Sequence, residues 1–252
     1  MARVLINGCS HSSASDPDSL YPSIKGWPEI FEKITDVEII DLAERGKSNH
    51  WMIEELIRYL INDDSVDHVV VMLTEMHRLN LYRRSESGRW KFGDIKSQLS
   101  RLKPPYKRFH WKYLIEHGDK KPFLKYFNDK SFAHQIITTG TMLNALSQIC
   151  SSKNIGLTIG NFYPIMGLND IVWNSIPFNN FLCTNIENGL LDVFLDPLSD
   201  KNYNRDDPDD PGHLNELANT EIAEIIKNHY LHGDQITIGR PSKLHNYVYN
   251  YT

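Results

Sequence analysis

The stretch RVLINGCSHS, residues 3–12, combines a short apolar run with an abrupt polar end. Val4, Leu5 and Ile6 are apolar at successive positions, which is typical of a strand buried on both faces of a parallel sheet. Asn7 and Gly8 end the run, and a cysteine, a serine and a histidine follow at once. Two interpretations are open: a plain turn, or a nucleophile presented at the carboxyl end of a strand.

Three further segments have the same short, β-branched, nearly uninterrupted apolar character, and they predict strands over residues 37–42, 68–74 and 155–162. Apolar residues at helical spacing predict helices over residues 49–61, 131–151 and 214–230. The alternation of strand and helix predicts a doubly wound α/β domain, a three-layer α/β/α sandwich with a mostly parallel central sheet.

The length of 252 residues favours one large domain, which we place at residues 1–232. Residues 78–130 carry 15 Lys or Arg against 5 Asp or Glu, in an otherwise acidic chain of net charge -5. This composition predicts a basic, aromatic insert over about residues 79–130, with some helix of its own, folded over the edge of the sheet. A polar, tyrosine-rich tail follows at residues 233–252, with a short strand predicted over residues 235–238.

Several protein classes are disfavoured by the composition. Three widely spaced cysteines give neither a disulfide framework nor a zinc site, which fits a reduced intracellular compartment. The apolar run among the first residues is too short for a signal peptide, and no apolar stretch approaches the roughly 20 residues of a membrane span. Dinucleotide and P-loop glycine motifs are missing from the sequence. We therefore expect a cytoplasmic protein with no membrane contact, no cofactor and no metal.

Polar residues cluster where the predicted strands end. Ligands bind beyond the carboxyl ends of strands in open α/β sheets, so these segments are the candidates for a site. They are Gly8-Cys9-Ser10 after the first strand, residues 43–49 after the second, residues 74–78 after the third, and residues 209–213 before the last helix.

In this order the segments resemble the SGNH (GDSL-type) hydrolase superfamily, over residues 1–78 and 131–231. Gly8-Cys9-Ser10 matches the Gly-Asp-Ser element, with a cysteine in place of the usual aspartate. Gly46 matches the glycine element, and Asp210-Pro211-Gly212-His213 matches the Asp-x-x-His element. The Gly-x-Asn element is poorly matched: Thr74 and Arg78 come nearer to a divergent branch that is frequent in phage and bacterial genomes.

The resemblance implies the flavodoxin-like fold of that superfamily and an ester hydrolase that works through an acyl-enzyme. Ser10 would be the nucleophile, His213 its base, and Asp210 the group that orients the imidazole. The backbone N–H groups of Ser10 and Gly46 would form an oxyanion hole, with Thr74 or Asn49 as the third donor. The substrate would be a small-molecule or carbohydrate ester, and removal of acetyl groups from a carbohydrate suits the superfamily's range. Lipid esters and thioesters stay open as alternatives.

Other interpretations of the same residues stay open. Ser10 could cap the first helix, and Asp210 could belong to a solvated acidic loop. Cys9 could replace Ser10 as the nucleophile, although a cysteine at a strand end is more often a small buried filler. For His11 we predict a position at the solvent-facing rim.

Two other functions remain as alternatives. The first is a binding or structural module that keeps the fold without the chemistry, which the departures at Cys9 and Thr74 favour. The second is a nucleic-acid-associated protein that uses the basic insert. We rank nucleic acid behind a solvated surface, and behind a lid or an oligomer contact formed by the insert or the tail. Association with a virion is expected if a phage encodes the chain.

Overall fold

The computed structural model describes residues 1–12, 25–44, 47–74, 80–84, 90–94, 129–163, 175–184, 189–194 and 214–238. Its centre is a four-stranded parallel sheet formed by β1 (Arg3–Gly8), β2 (Glu38–Asp41), β3 (His68–Leu73) and β6 (Gly156–Asn161). The order of the strands across the sheet is β2-β1-β3-β6. A separate antiparallel pair, β4 (Asn80–Arg84) and β5 (Trp90–Asp94), lies within the predicted insert.

Helices cover both faces of the sheet. On one face α1 (Trp27–Thr35) packs against α5 (Glu216–His232), and on the other α2 (Asn49–Asn62) packs against α3 (Asp129–Ser152). The short helix α4 (Leu190–Phe194) lies on the α1 and α5 face. The predicted three-layer α/β/α architecture is therefore confirmed.

Two apolar cores, one on each face, hold the layers together. The core on the α2 and α3 face contains Leu5, Leu56 and Leu146, all fully buried. The core on the α1 and α5 face, called here the α1/α5 core, contains Val4, Ile6, Cys9, Phe31 and Ile226 among others. Alternate residues of β1 enter opposite cores, which is why Val4, Leu5 and Ile6 are apolar at successive positions rather than at every second one.

The strand order fixes where a ligand would bind. The chain passes from β1 outward to β2 and then returns to β3 on the other side of β1, so the winding direction reverses between β1 and β3. Such a reversal opens a crevice beyond the carboxyl ends of the strands. The register pairs Gly8 with Met72 and Leu73 with Asn161, so the ends of β1, β3 and β6 lie at one level.

The predicted strands and helices of the core are confirmed to within about two residues at each end, a usual uncertainty of helix and strand boundaries. The nine-residue helix α1 was not predicted. Its signals are local and short: Pro28 lies in its first turn, and Trp27 and Phe31 bury one face.

The irregular parts of the chain match the predictions less closely. In the insert, where we expected some helix, the structure describes the antiparallel pair β4 and β5 and the first two residues of the helix that begins at Asp129; residues 79, 85–89 and 95–128 lie outside the described residues. Over residues 235–238 the predicted strand is reduced to one parallel bridge, between Ile236 and Cys183. No helix in the described part of the chain is both long enough and apolar enough to cross a membrane.

Candidate active site

Ser10 lies in a tight turn directly after β1. The Ser12 N–H donates a hydrogen bond of 2.8 Å to the Cys9 carbonyl, and this bond closes the turn around Ser10 and His11. Every residue from Val4 to Ser12 is buried except Ser10. Cys9 is fully buried in the α1/α5 core, as expected of a small filler. The turn therefore presents Ser10, and not Cys9, at the carboxyl edge of the sheet.

A glycine is required at position 8 because the chain turns back closely over the end of β1. A Cβ on Gly8 would lie 2.2 Å from Ser12 Oγ and 2.5 Å from Ser12 Cβ, far inside ordinary contact. The preceding residue anchors the strand end from the other face: Asn7 Nδ2 donates to the Met52 carbonyl, and Asn7 Oδ1 accepts from the Gly8 N–H, each at 2.9 Å. The turn around Ser10 is thus held on one face by α2, through Asn7, and on the other by the α1/α5 core, through Cys9.

His11 is buried, so the prediction that it lies at the solvent-facing rim was wrong. Its ring lies 5.0 Å from the Phe162 ring and 5.9 Å from the Tyr163 ring, measured between centroids. His11 Nε2 is 3.3 Å from Tyr163 Oη, within hydrogen-bonding distance. Phe162 and Tyr163 directly follow β6, two strands away from β1, and a partner 152 residues along the chain leaves no local signal in the sequence.

Asn49 and Thr74, the two candidates for the third oxyanion donor, are bonded to each other. Asn49 Nδ2 donates to the Thr74 carbonyl at 3.0 Å, and the Thr74 N–H donates to Asn49 Oδ1 at 2.7 Å. Both residues are buried. The Thr74 hydroxyl has no hydrogen-bond partner among the described residues. The pair therefore ties the end of β3 to the first turn of α2, close to the crevice.

The remaining predicted site residues, Gly46, Asp210 and His213, lie outside the described residues, as does Arg78. The chain on either side of them is described in part. The Glu44 N–H donates to the Gly8 carbonyl at 3.3 Å, which brings the segment that leads to Gly46 beside the end of β1. Leu214, which directly follows His213, is buried in the α1/α5 core that also contains Cys9.

Charged groups near the start of α2 are paired. Lys47 Nζ lies 2.7 Å from Glu44 Oε2 and 4.2 Å from the centroid of the Trp51 ring. The pKa of His50 is lowered by burial, and the nearby His134 lowers it further, while the hydrogen bond to the Gln135 carbonyl opposes the shift. His50 is therefore held toward the neutral form. Among the described residues no group of three or more His, Cys, Asp or Glu side chains could hold a metal ion.

The sheet order and the turn after β1 define a flavodoxin-like α/β/α domain with a serine at the reversal point of the sheet. Solved structures of lipolytic enzymes and esterases are similar to this chain. The esterase EstA from Pseudoalteromonas sp. is 14% identical, over 92% of this chain and 97% of its own, with a TM-score of 0.47.

Two other solved structures give comparable values. The lipase Lip_vut3 from a goat rumen metagenome is 11% identical, over 90% of this chain and 96% of its own, with a TM-score of 0.49. A member of the lipolytic G-D-S-L family from Veillonella parvula is 14% identical, over 92% of this chain and 100% of its own, with a TM-score of 0.45. No protein-family model matches the sequence, and no curated protein matches it.

Proposed function

We propose that this protein is a serine ester hydrolase in which Ser10 attacks the ester carbonyl and forms an acyl-enzyme. The observation that carries the proposal is the exposure pattern of the turn after β1. Within the nine residues from Val4 to Ser12, Ser10 is partly exposed and the others are buried, and Ser10 lies at the edge where open α/β sheets bind ligands. A serine that served only as a turn residue would not need this fixed, isolated presentation.

A serine hydroxyl is a weak nucleophile at neutral pH, so Ser10 needs a base. We assign that role to His213 and the orientation of its ring to Asp210, as the Asp-x-x-His spacing implies. Support comes from the residues next to them in the chain: Cys9, before Ser10, and Leu214, after His213, are buried in the same core. In water-mediated deacylation His213 would take a proton from the attacking water and return it to Ser10.

The tetrahedral oxyanion would be stabilised by the backbone N–H groups of Ser10 and Gly46 and by a third donor. For that donor we favour Thr74 over Asn49. The Asn49 side chain already bonds the Thr74 backbone in both directions, whereas the Thr74 hydroxyl is buried without a partner among the described residues. A buried, unsatisfied hydroxyl costs about 1–3 kcal/mol, and functional sites are where such a cost is tolerated.

The first experiment is labelling with a fluorophosphonate, followed by mapping of the modified residue. The expected result is modification of Ser10 in the wild-type protein and a large loss of labelling in His213→Ala. Ser12→Ala is the matched control, because Ser12 belongs to the same turn and is buried; it should leave Ser10 as the labelled residue. A folded wild-type protein that remains unlabelled would contradict the proposal and favour a binding module without activity.

For the substrate class, we propose an acetyl ester on a carbohydrate. This part of the proposal rests on the resemblance of the sequence motifs alone. The test compares acetate release from an acetylated oligosaccharide with the hydrolysis of p-nitrophenyl esters of increasing acyl length. Faster turnover of acetyl than of octanoyl esters, together with release of acetate from the sugar, is expected. A preference for long acyl chains would indicate a lipid ester instead.

A further inference from the structure

We propose that His11 and Tyr163 form a positioning pair that holds Ser10 in its reactive orientation; this inference rests on the proposed function. The pair joins the turn after β1 to the end of β6. Since parallel strands lie about 4.8 Å apart, and β3 lies between β1 and β6, the contact bridges a gap of roughly 10 Å at the carboxyl edge of the sheet.

Three of the four residues of the turn are anchored by different parts of the molecule. Cys9 enters the α1/α5 core, and Ser12 lies against Gly8. The third anchor is His11, whose ring is adjacent to the rings of Phe162 and Tyr163 and whose Nε2 lies 3.3 Å from Tyr163 Oη. Because His11 is the chain neighbour of Ser10, a rotation of the His11 backbone would turn the Ser10 hydroxyl away from its base.

The partner side of the contact is itself rigidly held. Asn161 Nδ2 donates to the Tyr163 carbonyl at 3.0 Å, and the Leu191 N–H donates to the Phe162 carbonyl at 3.0 Å. Gly189 approaches the same segment so closely that an added Cβ would lie 2.3 Å from the Phe162 carbonyl oxygen. Tyr163 therefore offers a fixed reference point, which a positioning role requires and a loosely held tyrosine would not provide.

The role follows from what a small displacement does to nucleophilic attack. Misplacement of a reacting group by about 1 Å can cost a hundredfold in rate, so a contact that limits the motion of the turn acts on the chemical step. The hydrogen bond between His11 and Tyr163 should raise the rate of nucleophilic attack by Ser10 about fivefold. This factor corresponds to the net free energy of one ordinary hydrogen bond.

The decisive variant is Tyr163→Phe, which keeps the ring and removes only the hydroxyl. We expect the limiting rate of fluorophosphonate labelling at Ser10 to fall about fivefold, with the half-saturating probe concentration unchanged. The matched control is Tyr59→Phe, which also removes a hydrogen-bonded tyrosine hydroxyl, one that donates to Asp63 Oδ2 at 2.9 Å and also bonds the Arg3 side chain, near the carboxyl end of α2. The control should label at the wild-type rate.

A double-mutant cycle separates the hydrogen bond from general packing. We expect Ser10 to be labelled at the same reduced rate in three variants, because all three lose the same hydrogen bond. They are Tyr163→Phe, His11→Phe and the double variant that combines the two. His11→Gln, which retains a polar nitrogen near the position of Nε2, should recover most of the rate. Additive losses in the double variant, or a wild-type rate in Tyr163→Phe, would overturn the proposal.

Amide hydrogen exchange tests the pair without any activity. The Ser12 N–H, which closes the turn, should exchange faster in Tyr163→Phe and at the wild-type rate in Tyr59→Phe. Unchanged exchange in both variants would overturn the positioning role. If exchange rises but wild-type Ser10 does not react with fluorophosphonate, the pair fixes the turn as proposed and it is the hydrolase function that fails.

Discussion

Replacement of Gly8 by alanine tests whether the geometry of the turn after β1 controls the reactivity of Ser10. The added Cβ would lie 2.5 Å from Ser12 Cβ and 2.2 Å from Ser12 Oγ. Rotation of the Ser12 side chain can relieve the contact with the oxygen but not that with Cβ. The two carbons must therefore separate by about 1 Å to reach ordinary contact, and the backbone of the turn must supply that movement.

Two consequences follow, and they are measured separately. Overpacking of this kind costs about 1–3 kcal/mol in the free energy of unfolding, to be measured by denaturant titration. A shift of the turn by about 1 Å should lower the labelling rate of Ser10 about a hundredfold, to be measured by fluorophosphonate kinetics on the folded protein. The loss of reactivity should exceed what the unfolded fraction explains.

Gly156→Ala is the matched control for Gly8→Ala. It is the same substitution at the opposite end of the sheet, where an added Cβ would lie 2.1 Å from His68 Nδ1. It should lower stability and leave the labelling rate of the folded protein unchanged. Combining Gly8→Ala with Ser12→Gly removes both crowding atoms and should recover the rate. Wild-type labelling in Gly8→Ala would refute the argument that the turn geometry matters.

Three further predictions concern buried groups. Thr74→Val should lower the limiting rate of ester hydrolysis about a hundredfold or more, because it removes an oxyanion donor. Stability should not fall, because the Thr74 hydroxyl has no partner among the described residues. Unchanged turnover would show that Thr74 is not part of the oxyanion hole. Burial and the neighbouring His229 lower the pKa of His68 to about 4 from 6.5, so the unfolded chain binds more protons between these values. Stability should be full above about pH 6.5 and fall by up to about 3 kcal/mol as the pH drops toward 4; denaturant titrations of wild type and His68→Gln check this, and equal pH profiles would contradict it. Burial raises the pKa of the Cys150 and Cys183 thiols to about 12. Iodoacetamide near neutral pH should therefore alkylate both cysteines only after unfolding, which mass spectrometry would show. Rapid alkylation of the native protein would contradict this prediction.

The sequence was sufficient to predict the core of the fold. Strands buried on both faces are apolar at successive positions, as in residues 68–74, and helices with one buried face are apolar at helical spacing, as in residues 49–61. Both patterns depend on neighbouring residues only. Helix α1 was not predicted because, although Trp27 and Phe31 define one buried face, the helix is only nine residues long. The β4-β5 pair was not predicted because its two five-residue strands mix basic residues with aromatic ones and have no continuous apolar run.

The candidate site was predictable to a smaller extent. The order of the strand-end segments indicated Ser10, and the structure presents that serine alone at the end of β1. The roles of Asp210, His213 and Gly46 stay predictions. For Thr74 and Asn49 the sequence offered a choice between two donors, whereas the structure bonds the two residues to each other across 25 positions of the chain.

What the sequence determined by itself is the four strands of the central sheet, the three long helices, and the small, polar residues that end the strands. Only the tertiary structure decided which strand ends meet. The order β2-β1-β3-β6 brings His11 to Tyr163 over 152 residues of the chain. No local pattern encodes such a contact, because it depends on the distance between strand ends after folding. His11 is thus buried because the turn after β1 meets the residues that follow β6, although nothing in its own surroundings in the sequence predicts this burial.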